Sequence, residues 1–192
     1  MIWWPTEVPT LQHGPITLRP AEEKDIVSIY EACQDPTIPQ FTTVPSPYRM
    51  ADAISFIREQ APTHFAQKSE LLLVITRGHS EEEEFCGVIS FHTINLHNHS
   101  TELGYWVAAS ARGKGIGTRA VTTMSDYGFS TMGFRRIEAL VDVGNIASKA
   151  LLQSAGFEPE GIMRKKVTRD DGSQIDMALF SRVATDASQG MK

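Results

Sequence analysis

Ten residues, Ala111 to Ala120, read ARGKGIGTRA and pack three glycines and three cations into one stretch. TELGYWVAA precedes them with the apolar–polar alternation of a strand. After them, Gly115 to Met132 carries Ile116, Ala120, Met124 and Tyr127 on one stripe, the pattern of an amphipathic helix. The chain must therefore pass from strand to helix on backbone largely stripped of Cβ. Such a passage serves either a tight turn or a close approach of the main chain to a bound group.

Spacing excludes two phosphate loops. No GxxxxGK[ST] string occurs. A GxGxxG fingerprint counted from Gly113 meets Thr118 at its third glycine, and counted from Gly115 it meets Ala120. What remains is Arg112-Gly113-Lys114-Gly115-Ile116-Gly117-Thr118 at a helix start. The first amides of a helix have no intrahelical acceptor and sit at the positive end of the helix dipole. Without Cβ atoms at 113, 115 and 117 an anion can reach them, with Arg112, Lys114 and Arg119 adding charge and Thr118 a hydroxyl. A pyrophosphate suits this arrangement, and a glycine-rich turn with solvated cations is the alternative.

Pro15 to Ala21 reads as a short strand, and EEKDIVSIYEAC as a helix with Ile26, Ile29 and Tyr30 at its period. Four prolines in QDPTIPQFTTVPSPY predict a long ordered loop. Met50 to Gln60 returns to helical spacing through Ile54 and Ile57. Leu71 to Thr76 is a continuous apolar run, a buried strand, and RGHSEEEE a solvated turn, with Glu81 to Glu84 at its tip. FCGVISFHTIN and RRIEALVDV are further strands. NIASKALLQSAG is a helix between an Asn145 cap and a Gly156 stop, and two closing strands flank the RDDGS turn. The order predicts one α+β domain with a mixed sheet and helices on its faces. Residues 184–192 read as a disordered tail.

At 192 residues the chain can bury a real core, and a net charge of -5 argues against a nucleic-acid partner. No run reaches the roughly 18 apolar residues of a membrane span, and the MIWWPTEVPT start lacks a signal peptide's basic region, so a cytoplasmic location is expected. Cys33 and Cys86 fit no metal or redox spacing and read as buried thiols. His92, His97 and His99 lack the acids of a metal set, and no metal is expected. Trp3 and Trp4 read as anchors of an N-terminal arm or a dimer contact.

The string R-G-K-G-I-G-T resembles the R/Q-x-x-G-x-G/A signature of the GNAT acetyltransferases. ELGYWVAASARGKGIGTRAV followed by GFRRIEALVDVGNIASKALLQSAGFEPEG is similar to the RimJ/RimL-like branch, which acetylates ribosomal-protein N-termini. The likeness covers about residues 13–183 of a single 1–192 domain. It implies the GNAT fold, a mixed and mostly antiparallel sheet of about six to seven strands flanked by about four helices. It also implies acetyl-CoA as cosubstrate.

By that resemblance Trp106 and Val107 lie on a splayed strand whose backbone bonds the pantetheine arm and the thioester carbonyl. Arg112, Gly113, Lys114, Gly115, Ile116, Gly117 and Thr118 match the pyrophosphate loop. Asn145 matches an asparagine that bonds the pantetheine end, a role compatible with capping. Ser148, one turn on, shares that face.

The chemistry needs a neutral amine, a stabilised oxyanion and a protonated thiol. An α-amine with a pKa near 8 costs about 1 kcal/mol to deprotonate at pH 7, against about 4.6 for a lysine. Glu102 is the candidate base; the alternative is an exposed strand-end glutamate. Alternation puts it on one face with Gly104 and Trp106, and Leu103, Tyr105 and Val107 on the other. Many relatives protonate the thiolate with a helix tyrosine, but Leu152 stands there, leaving Ser148 as the candidate acid. Val167 stands where some relatives carry a glutamate, and Asp176 is either a further cleft acid or a partner of surface arginines.

The expected function is transfer of acetyl from acetyl-CoA to a primary amine. A peptide or protein N-terminus is the first acceptor, and a small amine such as an antibiotic or amino acid the second. A catalytically silent acyl-CoA-binding module is the rival of another class. The acceptor wall is expected from Pro36 to Tyr48 and the C-terminal hairpin, no membrane partner is expected, and a homodimer is open.

Overall fold

The computed structural model describes residues 2–78, 83–169 and 171–187. One mixed sheet holds β1 (Leu11–His13), β2 (Ile16–Arg19), β3 (Leu71–Arg77), β4 (Glu84–Asn95), β5 (Ser100–Val107), β6 (Arg136–Asp142), β7 (Glu158–Thr168) and β8 (Gln174–Val183). Their order is β1-β2-β3-β4-β5-β6-β8-β7. All neighbours are antiparallel except β5 and β6. The eighth strand, β1, goes beyond the seven readable in the sequence. It is three residues of LQH, held as a hairpin by Leu11 opposite Leu18.

Two helical layers cover the sheet. β3 is apolar from Leu71 to Ile75 because both of its faces are buried there. Leu71, Leu73 and Ile75 pack with Ala120, Val121 and Met124 of α5 (Ile116–Tyr127), which ends in a π-helical turn, Gly128–Met132. Leu72 packs on the opposite layer with Ile26 and Ile29 of α1 (Asp25–Ala32), Ala53 of α3 (Met50–Ser55) and Ile57. α3 runs through a π-helical turn (Phe56–Gln60) into α4 (Ala61–Ala66), further than the Met50 to Gln60 helix expected.

Two expectations need correction. The proline-rich segment is not all loop, because Thr37–Phe41 is a short helix (α2). Asp35 Oδ1 accepts the Thr37 N–H at 2.9 Å and starts it, and Pro39 falls in the first turn, where no N–H is needed. The tail begins with a helix, Ala184–Ala187, while 188–192 lie outside the described residues. As expected, His92 lies in a strand, β4, opposite Glu102, and His97 and His99 lie at the hairpin tip beyond it. Of the expected RGHSEEEE and RDDGS turns, 79–82 and 170 lie outside the described residues.

The N-terminal arm is anchored by the Trp4 ring and the Trp3 main chain, while the Trp3 ring itself is 50% exposed. Trp3 N–H donates to Met132 O at 2.8 Å, and Trp4 packs on Phe65 with centroids 5.5 Å apart.

Candidate active site

β5 and β6 pair only at Ser100–Arg136, Thr101–Ile137 and Glu102–Glu138. Beyond that point β5 stays with β4 as far as Val107, while β6 stays with β8 as far as Asp142. The sheet therefore opens into a wedge-shaped gap. Ala108 N–H donates to Cys86 O at 2.8 Å, which fixes the ladder's phase. The N–H and C=O groups of Tyr105 and the N–H of Val107 consequently point away from β4, toward the gap, while Leu103 N–H still serves the Glu102–Glu138 bridge to β6. Unpaired strand backbone of this kind is a ready set of donors and acceptors.

At the end of β5 a single 3-10 turn, Ala109–Ala111, leads into the glycine stretch, so the strand stops at Val107 rather than Ala109. Gly113 and Gly115 have φ of +72° and +71°, and a Cβ at either would meet nothing within 4 Å. Open space faces this turn, and only glycine holds the left-handed conformation without strain. Gly115 is the N-cap of α5, and no side chain caps the helix. The amides of Ile116, Gly117 and Thr118 thus have no intrahelical acceptor. Lys114 and Arg119 are exposed, with no ion pair among the described residues.

Gly117 has a different reason to be glycine. A Cβ there would come within 2.5 Å of Leu151 Cδ1 and 3.2 Å of Val107 Cγ2. It is buried and lets α5, α6 (Ile146–Ser154) and β5 meet; its Cβ does not stand between an anion and the amides. Ile116 is likewise core, offering only its amide.

Arg112 does not aim its guanidinium into that open space. Nη1 lies 2.7 Å from Asp35 Oδ2 and 3.0 Å from Thr37 Oγ1, and Nε donates to Val107 O at 2.9 Å. Hydrogen bonds from Thr37 first, and Arg112 after them, hold Asp35 below the usual carboxylate range. Arg112 thus ties the start of the glycine loop to α2 and to the tip of β5. Asp35 and Thr37 were not singled out from the sequence, where a proline-rich segment carries no sign of its partner.

Asn145 caps α6, its Oδ1 accepting the Ser148 N–H at 3.0 Å. Ser148 Oγ shares a 2.7 Å hydrogen bond with Tyr105 OH. Burial pushes the Tyr105 phenol up to about 12, against the opposing pull of that bond. Leu152 is fully buried in the core. Alternation along β5 holds: Leu103, Tyr105 and Val107 join the α5 layer, while Trp106 packs on the α1 layer against Phe85, centroids 5.9 Å apart. Glu102, two and four residues from Gly104 and Trp106, shares their face. It is half-buried, and its carboxylate has no hydrogen bond or ion pair among the described residues. Asp176 Oδ1 accepts the Lys165 N–H at 2.8 Å, where the β7–β8 register shifts, and pairs with no arginine among the described residues. Val167 lies in β7 opposite Ile175. Among the described residues no group of three metal-ligating side chains occurs.

A family model described as an acetyltransferase (GNAT) domain matches residues 16–158. The chain belongs to the GNAT acetyltransferases. It is 29% identical over 176 residues to the uncharacterized N-acetyltransferase p20 of Bacillus licheniformis, covering 90% of this chain and 94% of the relative. The crystal structure of Microcin C7 self immunity acetyltransferase MccE in complex with acetyl-CoA and AMP matches with a TM-score of 0.77 and 28% identity, covering 89% of this chain and 93% of that one. Mycobacterium smegmatis RimJ in complex with CoA-disulfide matches with a TM-score of 0.80 and 25% identity over 95% and 90%.

This GNAT chain is accordingly an N-acetyltransferase of the RimJ/RimL-like kind, and acetyl-CoA is its cosubstrate. The uncapped α5 start, with room where two Cβ atoms would stand, is a cradle that suits the cosubstrate's pyrophosphate. No helix among the described residues is long and apolar enough to cross a membrane.

Proposed function

We propose that the enzyme acetylates the α-amine of a peptide or protein N-terminus. One observation carries this reading: Glu102 and the Ser148–Tyr105 hydroxyl pair lie on opposite faces of β5, beside the same gap. A thioester seated there presents its carbonyl carbon to an amine from the Glu102 face and its sulfur to the Ser148 face. Glu102 takes the proton of the attacking amine, directly or through water. A single half-buried carboxylate is adequate for an α-amine, whose deprotonation costs about 1 kcal/mol at pH 7, and poorly matched to a lysine at about 4.6.

In this reading the amides at 113–118 hold the pyrophosphate, with Lys114 as its cation and the Thr118 hydroxyl beside it. The N–H of Val107 steadies the pantetheine arm or the thioester oxygen, beside the Trp106 ring, and Asn145 offers its free Nδ2 to the pantetheine. Arg112 orders the loop through Asp35. The acceptor passes between α2 and the β7–β8 hairpin. The contact of Arg169 with Asp142 (2.8 Å) and Gln40 O (3.3 Å), which joins these two walls, supports that path.

Thiol release from acetyl-CoA over N-terminal peptides, free amino acids, polyamines and lysine-blocked controls tests the proposal. N-terminal peptides are expected to give a kcat/KM at least about 10-fold above small amines. Glu102→Gln is expected to lower it by roughly 100-fold or more. Faster turnover of a small amine overturns the acceptor, and undisturbed turnover in Glu102→Gln removes that base. Tight acetyl-CoA binding with no thiol release over the whole panel identifies a silent binding module.

A further inference from the structure

We infer that Tyr105 is a positioning residue for the leaving-group hydroxyl: its phenol donates to Ser148 Oγ and turns the serine proton toward the gap. This rests on the proposed placement of the thioester between β5 and β6.

The first support is that the Ser148 hydroxyl has no helical carbonyl of its own to turn to, so that its partner comes from another element. A serine or threonine inside a helix commonly turns its hydroxyl back to the carbonyl four residues earlier. Ser154 does so in the same helix, donating to Ala150 O at 2.9 Å. Thr123 and Ser130 do so along α5 and the turn after it, at 2.8 and 2.7 Å. Ser148 does not. Its Oγ is drawn to Tyr105 OH at 2.7 Å.

The second support is the hydrogen count. The phenol carries one hydrogen and can also reach Ser148 O, but at 3.5 Å, a far weaker contact than the one to Oγ. Given to Oγ, that hydrogen leaves the serine proton with no acceptor in the described structure, free to face the gap. The phenol stays protonated and remains a donor, since burial pushes its pKa to about 12.

The third support is the lack of another hydroxyl. Leu152, where the sequence resemblance puts a tyrosine, is sealed in the core. The aromatic hydroxyl at this helix face is supplied by β5 instead of by the helix.

Atoms balance without a further reactant. The C–S bond breaks with its electron pair on sulfur, and the nitrogen loses one proton as the amide forms. Sulfur gains one proton from Ser148, and the hydroxyl pair is restored by the proton that left nitrogen.

The test is a double-mutant cycle on the full chain with the best acceptor of the panel. Tyr105→Phe keeps the ring and is expected to lower kcat about 10-fold, with the KM for acetyl-CoA within twofold and an unchanged melting profile. Ser148→Ala is expected to lower kcat at least as much, and the double variant no further than Ser148→Ala alone. A kcat in Tyr105→Phe equal to the parent's, or losses that multiply in the double variant, overturn the inference. A Ser148→Ala enzyme with parental kcat overturns the thioester placement itself, a different failure. A readout without acceptor is the ratio of CoA to desulfo-CoA affinity by calorimetry. Both single variants are expected to lower it several-fold, and a parental ratio in Tyr105→Phe sinks the inference whatever the turnover.

Discussion

Two helices start beside the gap, and they start in opposite ways. α6 closes its first turn on itself: Asn145 Oδ1 takes the Ser148 N–H, and Lys149 Nζ donates to Val143 O at 2.7 Å. α5 has a glycine at the same point, held at φ +71°, with no side-chain cap and open space in front of it. A helix start needs something to satisfy its amides. At α6 the fold supplies it, so that start contributes to stability. At α5 the fold withholds it, so the free protein carries the deficit and an anion removes it. Changes at the α6 start should therefore move the melting temperature, and changes at the α5 start the affinity for acetyl-CoA.

The contrast is most directly broken at Gly115. Gly115→Glu adds strain of about 1–2 kcal/mol at a positive φ and puts a carboxylate where the anion belongs. Acetyl-CoA affinity by calorimetry is expected to fall about 100-fold while the circular dichroism spectrum stays native; a Kd within twofold of the parent ends the assignment. Gly117→Val sharpens the distinction between the loop's glycines. Overpacking against Leu151 and Val107 is expected to cost about 1–3 kcal/mol, seen as a Tm lower by roughly 3–10 °C. An unchanged Tm would return Gly117 to the loop's anion-facing glycines.

Asn145→Ala removes a cap of about 1 kcal/mol, a Tm drop of roughly 2–4 °C, and Asn145→Asp should restore it. A larger loss of acetyl-CoA affinity than of stability would show that the asparagine serves the cosubstrate before the helix. The smallest effect belongs to Lys114→Ala. An exposed ion pair of about 0.2–1 kcal/mol predicts an affinity loss of roughly 1.4- to 5-fold at low salt, gone at high salt. The Tm of the free protein should not fall, because a cation near a helix N-terminus does not help that helix.

Much of the architecture was legible. The period of Ile116, Ala120, Met124 and Tyr127 is that of α5, and the run at Leu71–Thr76 is a strand covered on both faces. Asn145 and Gly156 bracket α6, and Gly156 has a φ of +83°. β1 was not legible, because three residues of LQH carry no period and exist as a strand only through Leu18. Nor was α2, because the four prolines in and around it read as breakers until Asp35 is seen holding its first turn.

The site divided in the same way. Parity along TELGYWV separated Glu102 from Tyr105 by face. Nothing in that string says that Ser148, 43 residues on, covers the Tyr105 side. Arg112 was legible as a cation in a glycine loop, but its partner Asp35 lies on the far side of three strands of sequence.

Local order alone determined the elements other than β1 and α2, the glycine turn and the faces of β5, since periodicity, backbone sterics and capping act over a few residues. Tertiary structure alone decided that β5 and β6 part after Glu102, that Arg112 turns to Asp35, that Gly117 yields to Leu151 and that Tyr105 meets Ser148. Each of those joins groups far apart in the chain, and such contacts exist only after the whole sheet and both helical layers have closed around them.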